Sequence, residues 1–310
     1  PVIKLSPVFL IMPLYPSARD ATRGAVLPSI EVYGVKAHYT KIGTAGPLVL
    51  MVHAATNHGA QWDLVRAAMG PDYRYLLPDL FNSGGTAPWP QKRLRRDLNF
   101  DDEADIVLSM LMAIDEPVHL VGHSYGGAVA LRAAIRSTAN PDGGPVRSLC
   151  LIEPGGCPLL AEAERFRDYE EYVGVMREFL RAVDAGEPVS AWRDFLNYYR
   201  GHRDAWDSLD KSVQDRIVAK TETQRQVYAA QMSNPTTLAE LRNLKMETLV
   251  ITGGQTTAPE RAVCEVLVQY LPHARLHIIP NAGHPMPASH PKAVAAALSR
   301  HIDDSELFRP

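Results

Sequence analysis

Cysteine is scarce in this chain, which has three cysteines among its 310 residues: Cys150, Cys157 and Cys264. Their odd number excludes a fully paired intramolecular disulfide framework, and no two of them have the C-x-x-C spacing of a zinc or redox motif. Cys150 and Cys264 lie within apolar runs, where cysteine is usually a small buried hydrophobic residue. We therefore assign the cysteines no chemistry, and we expect neither a bound metal nor an organic cofactor.

The chain also lacks a strong charge of either sign. Its 32 lysines and arginines nearly balance 35 aspartates and glutamates, which gives a formal net charge of -3 at pH 7, and both signs are mixed along the sequence. It contains no basic block that could follow a phosphate backbone. The composition therefore predicts a small-molecule substrate and no nucleic-acid partner, and it leaves open whether the chain forms homo-oligomers.

Long apolar runs are missing as well. After the N-terminal stretch PVFLIMPLYPSA (7–18), no run reaches the roughly eighteen apolar residues that cross a bilayer, which predicts a soluble protein without a membrane span. That stretch resembles the end of a secretory signal, but it is short, contains three prolines and follows a single basic residue. The compartment therefore stays open: the weak signal slightly favours a cytoplasmic protein over an exported one.

Short apolar runs alternate along the chain with longer amphipathic stretches, and 46% of the residues are hydrophobic. Apolar runs of this length are typical of buried strands, and apolar spacings of three and four are typical of helices. Two strands are predicted within 30–43, and six buried strands in runs that begin at Pro47, Tyr73, Val118, Val146, Met246 and Ala274. Helices are predicted at 61–69, 102–114, 127–135, 261–271 and 291–302. This order predicts an α/β fold, a mainly parallel sheet with helices on both faces.

One stretch interrupts the alternation. Residues 155–244 carry helical periodicity, two tryptophans and many tyrosines but no convincing buried strand. Because this stretch follows the carboxyl end of a predicted strand, it can cover the crevice where open α/β sheets bind ligands. We therefore predict an N-terminal extension (1–29), a core domain (30–154 and 245–310) and a helical cap or lid (155–244). The alternative is that these helices only extend the core.

A glycine-rich turn joins one predicted strand to a helix. In VHLVGHSYGGAVALRAA, Gly122, Ser124 and Gly126 form the pattern G-x-S-x-G between an apolar strand and a helix of small residues. So sharp a turn leaves no room for side chains beside the serine, and it holds Ser124 exposed as a nucleophile. It also directs the Tyr125 N–H toward a developing oxyanion. The alternative is a glycine-rich turn with an incidental serine.

A serine hydroxyl becomes a good nucleophile only when a neighbouring imidazole accepts its proton. His284 is suited to that role, because it follows the last predicted strand in IIPNAGHPMP, in a loop at the carboxyl end of the sheet. Other histidines lack this position: His277 lies inside a strand, His290 precedes a proline and His301 is near the end of a helix. His284 is therefore the predicted general base.

Through the GHSYGG turn, the NAGH loop and the strand order, residues 30–302 resemble the α/β-hydrolase superfamily. The resemblance implies the α/β-hydrolase fold and a second oxyanion donor in the loop after the third strand. The segment VHAATNHGAQW looks like that loop, which implies that the Ala55 N–H is the donor beside that of Tyr125. Ala54 stands where the family usually has glycine. His58 lies either at the entrance to the site or in a solvated part of the loop.

The resemblance also implies a carboxylate that orients the imidazole, and many members of the superfamily carry it shortly after the seventh strand. Here that loop reads QTTAP, and the first carboxylate, Glu260, falls where a helix is predicted to begin. In some related hydrolases the acid follows the sixth strand instead, where SLCLIEPGG contains Glu153. A carboxylate at the end of an apolar strand is costly without a partner. Glu153 is the predicted acid; Glu260 and a serine–histidine pair without an acid are the alternatives.

Serine at the turn argues against the dehalogenase and epoxide-hydrolase branches, which use an aspartate nucleophile. The resemblance then implies acyl transfer to water: Ser124 attacks an ester or lactone carbonyl, His284 transfers the proton and water releases the acyl group. Thioester or amide cleavage uses the same groups, as does hydrolysis of a carbon–carbon bond next to a ketone. A ligand-binding relative without catalysis is the alternative from another class.

Aromatic side chains of the predicted cap suggest an apolar or ring-bearing substrate. They are Tyr169, Tyr172, Trp192, Tyr198, Tyr199 and Trp206. Aromatic residues at helical spacing more often pack in a core than line a pocket, so only part of this set is expected to contact a ligand. The predicted substrate contacts are Trp192 and Tyr199, together with His58 and Met286.

Overall fold

The computed structural model describes residues 28–139 and 144–307. The predicted extension (1–29) and its apolar stretch therefore lie outside the described residues, apart from the last two positions. Within the described ranges the chain forms eight strands and thirteen α-helices. None of the helices in those ranges is long and apolar enough to cross a membrane.

The strands are β1 (Ser29–Val32), β2 (Val35–Ile42), β3 (Leu48–Val52), β4 (Arg74–Pro78), β5 (Val118–His123), β6 (Val146–Ile152), β7 (Glu247–Gly253) and β8 (Ala274–Ile279). A 3-10 turn (Gly59–Trp62) leads into α1 (Asp63–Met69), followed before β6 by α2 (Gln91–Leu94), α3 (Phe100–Met112) and α4 (Tyr125–Ser137). Six helices lie between β6 and β7: α5 (Cys157–Glu162), α6 (Phe166–Asp184), α7 (Pro188–Arg200), α8 (Lys211–Val218), α9 (Thr221–Met232) and α10 (Leu238–Leu241). The last three are α11 (Ala258–Tyr270), α12 (Met286–Ser289) and α13 (Pro291–Leu307).

All eight strands form one sheet in the order β1-β2-β4-β3-β5-β6-β7-β8. The β1–β2 and β2–β4 pairs are antiparallel, and the other neighbours are parallel. The predicted α/β fold is therefore confirmed. Because β4 and β5 lie on opposite sides of β3, the loops after β3 and β5 diverge at the carboxyl edge and leave a crevice there, which is where such sheets bind ligands.

Strand β3 shows why the central strands read as continuous apolar runs. Leu48, Leu50 and Val52 face one side of the sheet and pack in the cluster that includes α3 and α4. Val49 and Met51 face the other side and pack with α1 and α13. All five side chains are buried. Successive side chains of a strand point to opposite faces of the sheet. Because helices cover both faces here, every position of the strand is buried and carries an apolar residue.

The prediction that the strand beginning at Ala274 is buried is wrong. Strand β8 lies at the edge of the sheet that the described residues form, where it pairs with β7, and four of its six residues are exposed. Leu276 is 38% exposed and Ile278 49% exposed. Branched apolar residues suit the strand conformation whether or not they are covered, so their presence predicts a strand better than it predicts burial.

An aromatic cluster packs together the helices between β6 and β7, a stretch that the structure describes in full and that contains no strand. The Phe179 ring packs edge-to-face against Trp192 and Tyr228, with ring centroids 5.2 and 5.4 Å apart. Such pairs add about 0.5–1.5 kcal/mol each beyond the burial of their area. Tyr172 and Trp206 are also buried in this cluster. Part of the aromatic set of the predicted cap is therefore core packing.

We expect Gly126→Ala to destabilise the protein by about 1–3 kcal/mol. A Cβ on Gly126 would lie 2.1 Å from the His53 carbonyl oxygen and 2.6 Å from that of Val52, where α4 approaches β3. Gly174 in α6 is the matched control, because a Cβ there meets no atom within 4 Å. Alanine at Gly174 should stabilise the helix by about 0.5–1 kcal/mol. Urea unfolding measures both changes, and equal stability of the two variants would contradict the close approach.

Candidate active site

The turn between β5 and α4 holds Ser124 in a conformation that few residues other than glycine adopt, with φ 55° and ψ -125°. The residues two positions before and after it are glycines that leave no space for a side chain: a Cβ on Gly122 would lie 2.4 Å from the Gly126 carbonyl oxygen, and a Cβ on Gly126 would lie 2.1 Å from the His53 carbonyl oxygen. The Ser124 N–H donates to the Ile152 carbonyl at 2.9 Å, which attaches the turn to the end of β6. The strand–turn–helix context of the G-x-S-x-G pattern is thus present at the carboxyl edge of the sheet.

Three side chains that follow different strands form a hydrogen-bonded run. His284 Nε2 lies 2.9 Å from Ser124 Oγ, and His284 Nδ1 lies 2.8 Å from Glu153 Oε2. An ionised carboxylate can only accept, so the Nδ1–H donates to Glu153 and Nε2 is left to accept from the serine hydroxyl. This geometry allows the serine proton to pass to the imidazole.

Glu153 is completely buried, yet its environment favours the ionised form. Its Oε1 accepts hydrogen bonds from the Gly253 N–H (2.7 Å) and the Thr252 hydroxyl (3.2 Å) at the end of β7. Burial raises the pKa of this carboxyl, but the hydrogen bond and charge of His284 and the Gly253 N–H together outweigh burial and lower the pKa below its ordinary value. Glu153 is therefore ionised at neutral pH.

The pKa of His284 is shifted in the opposite direction. Burial disfavours the imidazolium, but the hydrogen bond and negative charge of Glu153 outweigh it, and the charge of Glu260 adds to their effect. The His284 pKa is consequently raised above its ordinary value of 6.5. The same carboxylate that fixes the ring tautomer thus stabilises the imidazolium that forms when the ring accepts a proton.

Glu260, the alternative acid, lies in the first turn of α11 and makes no hydrogen bond to His284. Its Oε2 is buried and has no hydrogen-bond partner in the described part of the chain. Burial raises the Glu260 pKa to about 7; the charge of His284 opposes this rise and that of Glu153 adds to it. Of the two predicted acids, the structure therefore brings Glu153 to the imidazole.

One of the two backbone donors predicted for an oxyanion directly follows Ser124 in the chain, and the other belongs to the loop after β3. The Tyr125 N–H is the first of α4, so it has no acceptor within its own helix. Ala55 follows β3 and lines the same cavity as Ser124. The positive end of the α4 dipole also points to this place, which favours negative charge there.

Side-chain hydrogen bonds hold the loop that contains Ala55. The His53 Nε2 accepts from the Leu80 N–H at 3.1 Å, so its Nδ1–H donates to the Ala54 carbonyl at 2.7 Å. This pattern requires a neutral ring, and burial lowers the His53 pKa to about 4. From the other side, the Lys220 ammonium, just before α9, donates to the Thr56 carbonyl. The helices between β6 and β7 thus contact the loop after β3 directly.

Gln61 and His123 were missed by the sequence analysis. Gln61 Oε1 accepts from the Ala54 N–H (3.0 Å), and Gln61 Nε2 donates to His123 Nδ1 (3.2 Å). The opposite ring nitrogen of His123 then donates to the His284 carbonyl (3.0 Å). Burial lowers the His123 pKa to about 3, so the ring is neutral as this chain of bonds requires. The only sequence signal was the position of His123 directly before the serine.

A small cavity of about 70 Å³ opens at Ser124. The residues that line it are Ala54, Ala55, Thr56, Ser124, His284 and Pro285 from the loops at the strand ends, and Trp192, Phe195, Leu196, Tyr199, Arg200 and Gln224 from α7 and α9. Trp192 and Tyr199, two of the predicted substrate contacts, are in this lining. The Tyr199 ring lies beside the imidazole, with a centroid distance of 5.3 Å to His284.

His58 and Met286, the other two predicted contacts, are not among the lining residues. Met286 begins α12 and is fully buried in the cluster beneath the sheet, because this short helix turns its apolar side chain toward α13. His58 precedes the 3-10 turn and is buried, with its N–H bonded to Asn57 Oδ1 at 3.1 Å. Among the described residues, no group of three or more His, Cys, Asp or Glu side chains could hold a metal ion.

A mainly parallel sheet with a G-x-S-x-G turn after a central strand is the arrangement typical of α/β hydrolases. The family model described as the alpha/beta hydrolase family matches residues 49–297, which is most of the chain. The chain therefore belongs to the alpha/beta hydrolase family, and its enzymatic class is that of the hydrolases. The resemblance seen in the sequence is confirmed at this level.

Several characterised proteins are similar to this chain. Lipase LipV of Mycobacterium tuberculosis is 30% identical over 168 residues, which cover 51% of this chain and only about half (56%) of LipV. The 2-succinyl-6-hydroxy-2,4-cyclohexadiene-1-carboxylate synthase of Shigella flexneri serotype 5b is 28% identical over 273 residues, covering 86% of this chain and 96% of the synthase. A thermophilic esterase from Thermogutta terrifontis superposes with a TM-score of 0.66 at 19% identity, over 90% of this chain and 97% of the esterase. This last likeness shows the fold.

We expect Glu153→Gln to lower kcat on an activated ester by about 10²–10⁴-fold, because glutamine does not hold the imidazole in the required tautomer or compensate its charge. Glu260→Gln is the matched control and should change kcat little, since Glu260 makes no hydrogen bond to His284. Steady-state kinetics with para-nitrophenyl acetate measures both variants. The reverse pattern would identify Glu260 as the acid.

The pH profile of kcat/KM should show an acid limb whose midpoint lies above pH 6.5. The base must be neutral to act, and the His284 pKa is raised above that value. In Glu153→Gln the midpoint should move to lower pH, because the carboxylate that stabilises the imidazolium is gone. A wild-type rate that stays flat from pH 5 to pH 8 would contradict a histidine base.

Proposed function

We propose that this protein is a serine hydrolase that cleaves a carboxylic ester or lactone of an apolar or aromatic small molecule through an acyl-enzyme. The observation that carries the proposal is the hydrogen-bonded run from Ser124 through His284 to Glu153, beside a cavity that Ser124, His284 and Ala55 line. The names of LipV and of the Thermogutta terrifontis protein, a lipase and an esterase, support ester chemistry.

In the proposed mechanism, Ser124 Oγ attacks the carbonyl carbon while His284 Nε2 accepts the hydroxyl proton. The oxygen of the tetrahedral intermediate accepts hydrogen bonds from the N–H groups of Tyr125 and Ala55. The imidazolium then gives its proton to the leaving alcohol oxygen as the carbon–oxygen bond breaks. Water attacks the remaining acyl-serine with His284 again as the base, which releases the acid and restores the serine. Glu153 stabilises the imidazolium and keeps its own charge.

We also propose that residues 155–244 act as a cap over a core of 30–154 and 245–310. Support comes from the cavity, which has α7 and α9 on one side and the strand-end loops on the other. Its volume of about 70 Å³ is far below the roughly 300–1,000 Å³ of most ligand sites. A substrate larger than a short acyl chain therefore requires the helices to move away from the loops.

The test is covalent labelling with a fluorophosphonate beside turnover of para-nitrophenyl esters of increasing acyl length. Ser124→Ala should lose the label and lower kcat by at least about 10⁴-fold. Ser289→Ala is the matched control, because this serine is exposed and outside the cavity, and it should keep both activities. Circular dichroism and thermal melting show whether each variant is folded.

The outcomes separate the functions that share this geometry. Labelling and ester turnover that both vanish in Ser124→Ala would establish the esterase reaction. Labelling without turnover of any ester would favour hydrolysis of a carbon–carbon bond next to a ketone, which uses the same groups. Retained activity in folded Ser124→Ala would contradict the nucleophile, and neither labelling nor turnover in the wild type would favour a ligand-binding protein.

A further inference from the structure

Arg200 lines the same cavity as Ser124 and His284, and no acidic group accompanies it. It is the last residue of α7, and its guanidinium makes no hydrogen bond or ion pair within residues 28–139 and 144–307. The other half-buried arginines between β6 and β7 have carboxylate partners. Arg165 pairs with Asp168 at 2.8 Å, and Arg225 pairs with Asp184. Arg200 thus differs from the other two half-buried arginines of this stretch.

The walls around Arg200 make an uncompensated charge costly. Trp192, Phe195 and Leu196, from the same helix, supply apolar side chains to the cavity. Burial lowers the pKa of the Arg200 guanidinium, and no neighbouring carboxylate raises it again. Guanidinium remains protonated in proteins, so the positive charge persists in this partly desolvated place. An anion that enters the cavity would gain an attraction that water screens only weakly.

Helix α7 alone does not explain this position. A cation near the C-terminus of a helix is favoured by the helix dipole, and it commonly donates to the last carbonyl groups. Here the Gly201 N–H donates to the Tyr198 carbonyl at 3.1 Å, and the Arg200 side chain donates to none of the described carbonyls. The five N–H donors of the guanidinium are therefore available to a ligand.

We propose that Arg200 binds a carboxylate of the substrate, so that the molecule cleaved at Ser124 is an apolar ester or lactone that carries one negative charge. This inference rests on the proposed function of Ser124. A single cation compensates a monoanion fully, whereas a phosphate monoester carries about -1.5 to -2 charges at pH 7 and would leave negative charge in an apolar cavity. The planar fork of the guanidinium also matches the two oxygens of a carboxylate. Gln224, which is buried, lines the same cavity with a neutral side chain.

The test compares esters that differ only in one negative charge. One pair is para-carboxyphenyl acetate and para-carbamoylphenyl acetate, with the charge on the leaving alcohol. The other is mono-para-nitrophenyl adipate and its methyl ester, with the charge on the acyl chain. In the wild type, the carboxylate member of at least one pair should have a kcat/KM about 10- to 100-fold higher than its neutral counterpart.

Substitutions then connect this preference to Arg200. In Arg200→Met the ratio of kcat/KM for carboxylate and neutral esters should fall to about one. Arg200→Lys keeps the charge without the fork and should give an intermediate ratio. Arg193→Met is the matched control, because Arg193 is on the same helix but exposed and outside the cavity, and it should keep the wild-type ratio. A phosphonate in place of the carboxylate should be a poorer substrate, and the reverse order would overturn the carboxylate assignment.

The outcomes for Arg200 and for Ser124 are distinguishable. If the wild type is labelled at Ser124 and turns over neutral esters but shows no preference in either pair, the carboxylate proposal is wrong and the hydrolase proposal stands. A preference that survives in Arg200→Met has the same meaning. If labelling and turnover are both absent, calorimetric titration of Ser124→Ala with the aryl pair decides the point. The proposal is supported if Ser124→Ala binds the carboxylate ester and this binding is lost in the double variant Ser124→Ala, Arg200→Met. Equal binding of the two esters by Ser124→Ala overturns it.

Discussion

The candidate site depends on one charge that has no access to water. Glu153 stays ionised because donors replace its hydration: the Gly253 N–H, the Thr252 hydroxyl and the His284 Nδ1–H. Its own N–H donates to the Ile251 carbonyl, so the carboxylate is tied to β7 as well as to β6. Removing one partner of such a buried pair typically costs about 3–5 kcal/mol. The loop after β8 is thus held where its imidazole reaches the serine, although β6 and β7 lie between β8 and β5 in the sheet.

A second set of hydrogen bonds connects the two loops that flank Ser124. Gln61 accepts from the N–H of Ala54 and donates to His123, which in turn donates to the carbonyl of His284. All three bonds join neutral groups, and Ala54, Gln61 and His123 are buried, so breaking a bond would leave a buried polar group unsatisfied. The loop after β3 and the loop after β8 are therefore positioned relative to each other by side chains that need take no part in proton transfer.

The sequence was informative where the determinants are local. The strands and the turn around Ser124 are set by apolar runs and glycine spacing, and Glu153 could be proposed because some of the hydrolases that the chain resembles carry their acid after the sixth strand. Long-range contacts were harder to foresee. Met286 looked like a pocket residue beside His284 but packs under the sheet, since its direction depends on α13. Arg200 belongs to a helix whose register against the loops is decided by tertiary packing, and nothing near it in the chain marks it.

The hydrogen bond from Lys220 to the Thr56 carbonyl bears on how such proteins can be recombined. Lys220 belongs to the helices between β6 and β7, and Thr56 belongs to the loop that lines the cavity beneath them. Consider a chimera in which a relative without this lysine supplies residues 155–244. The replacement would change the helices that line the cavity, and it would also remove the donor that bonds to the Thr56 carbonyl. The helices between β6 and β7 and the loop after β3 are therefore best exchanged as one unit, although Lys220 and Thr56 are 164 positions apart in the chain.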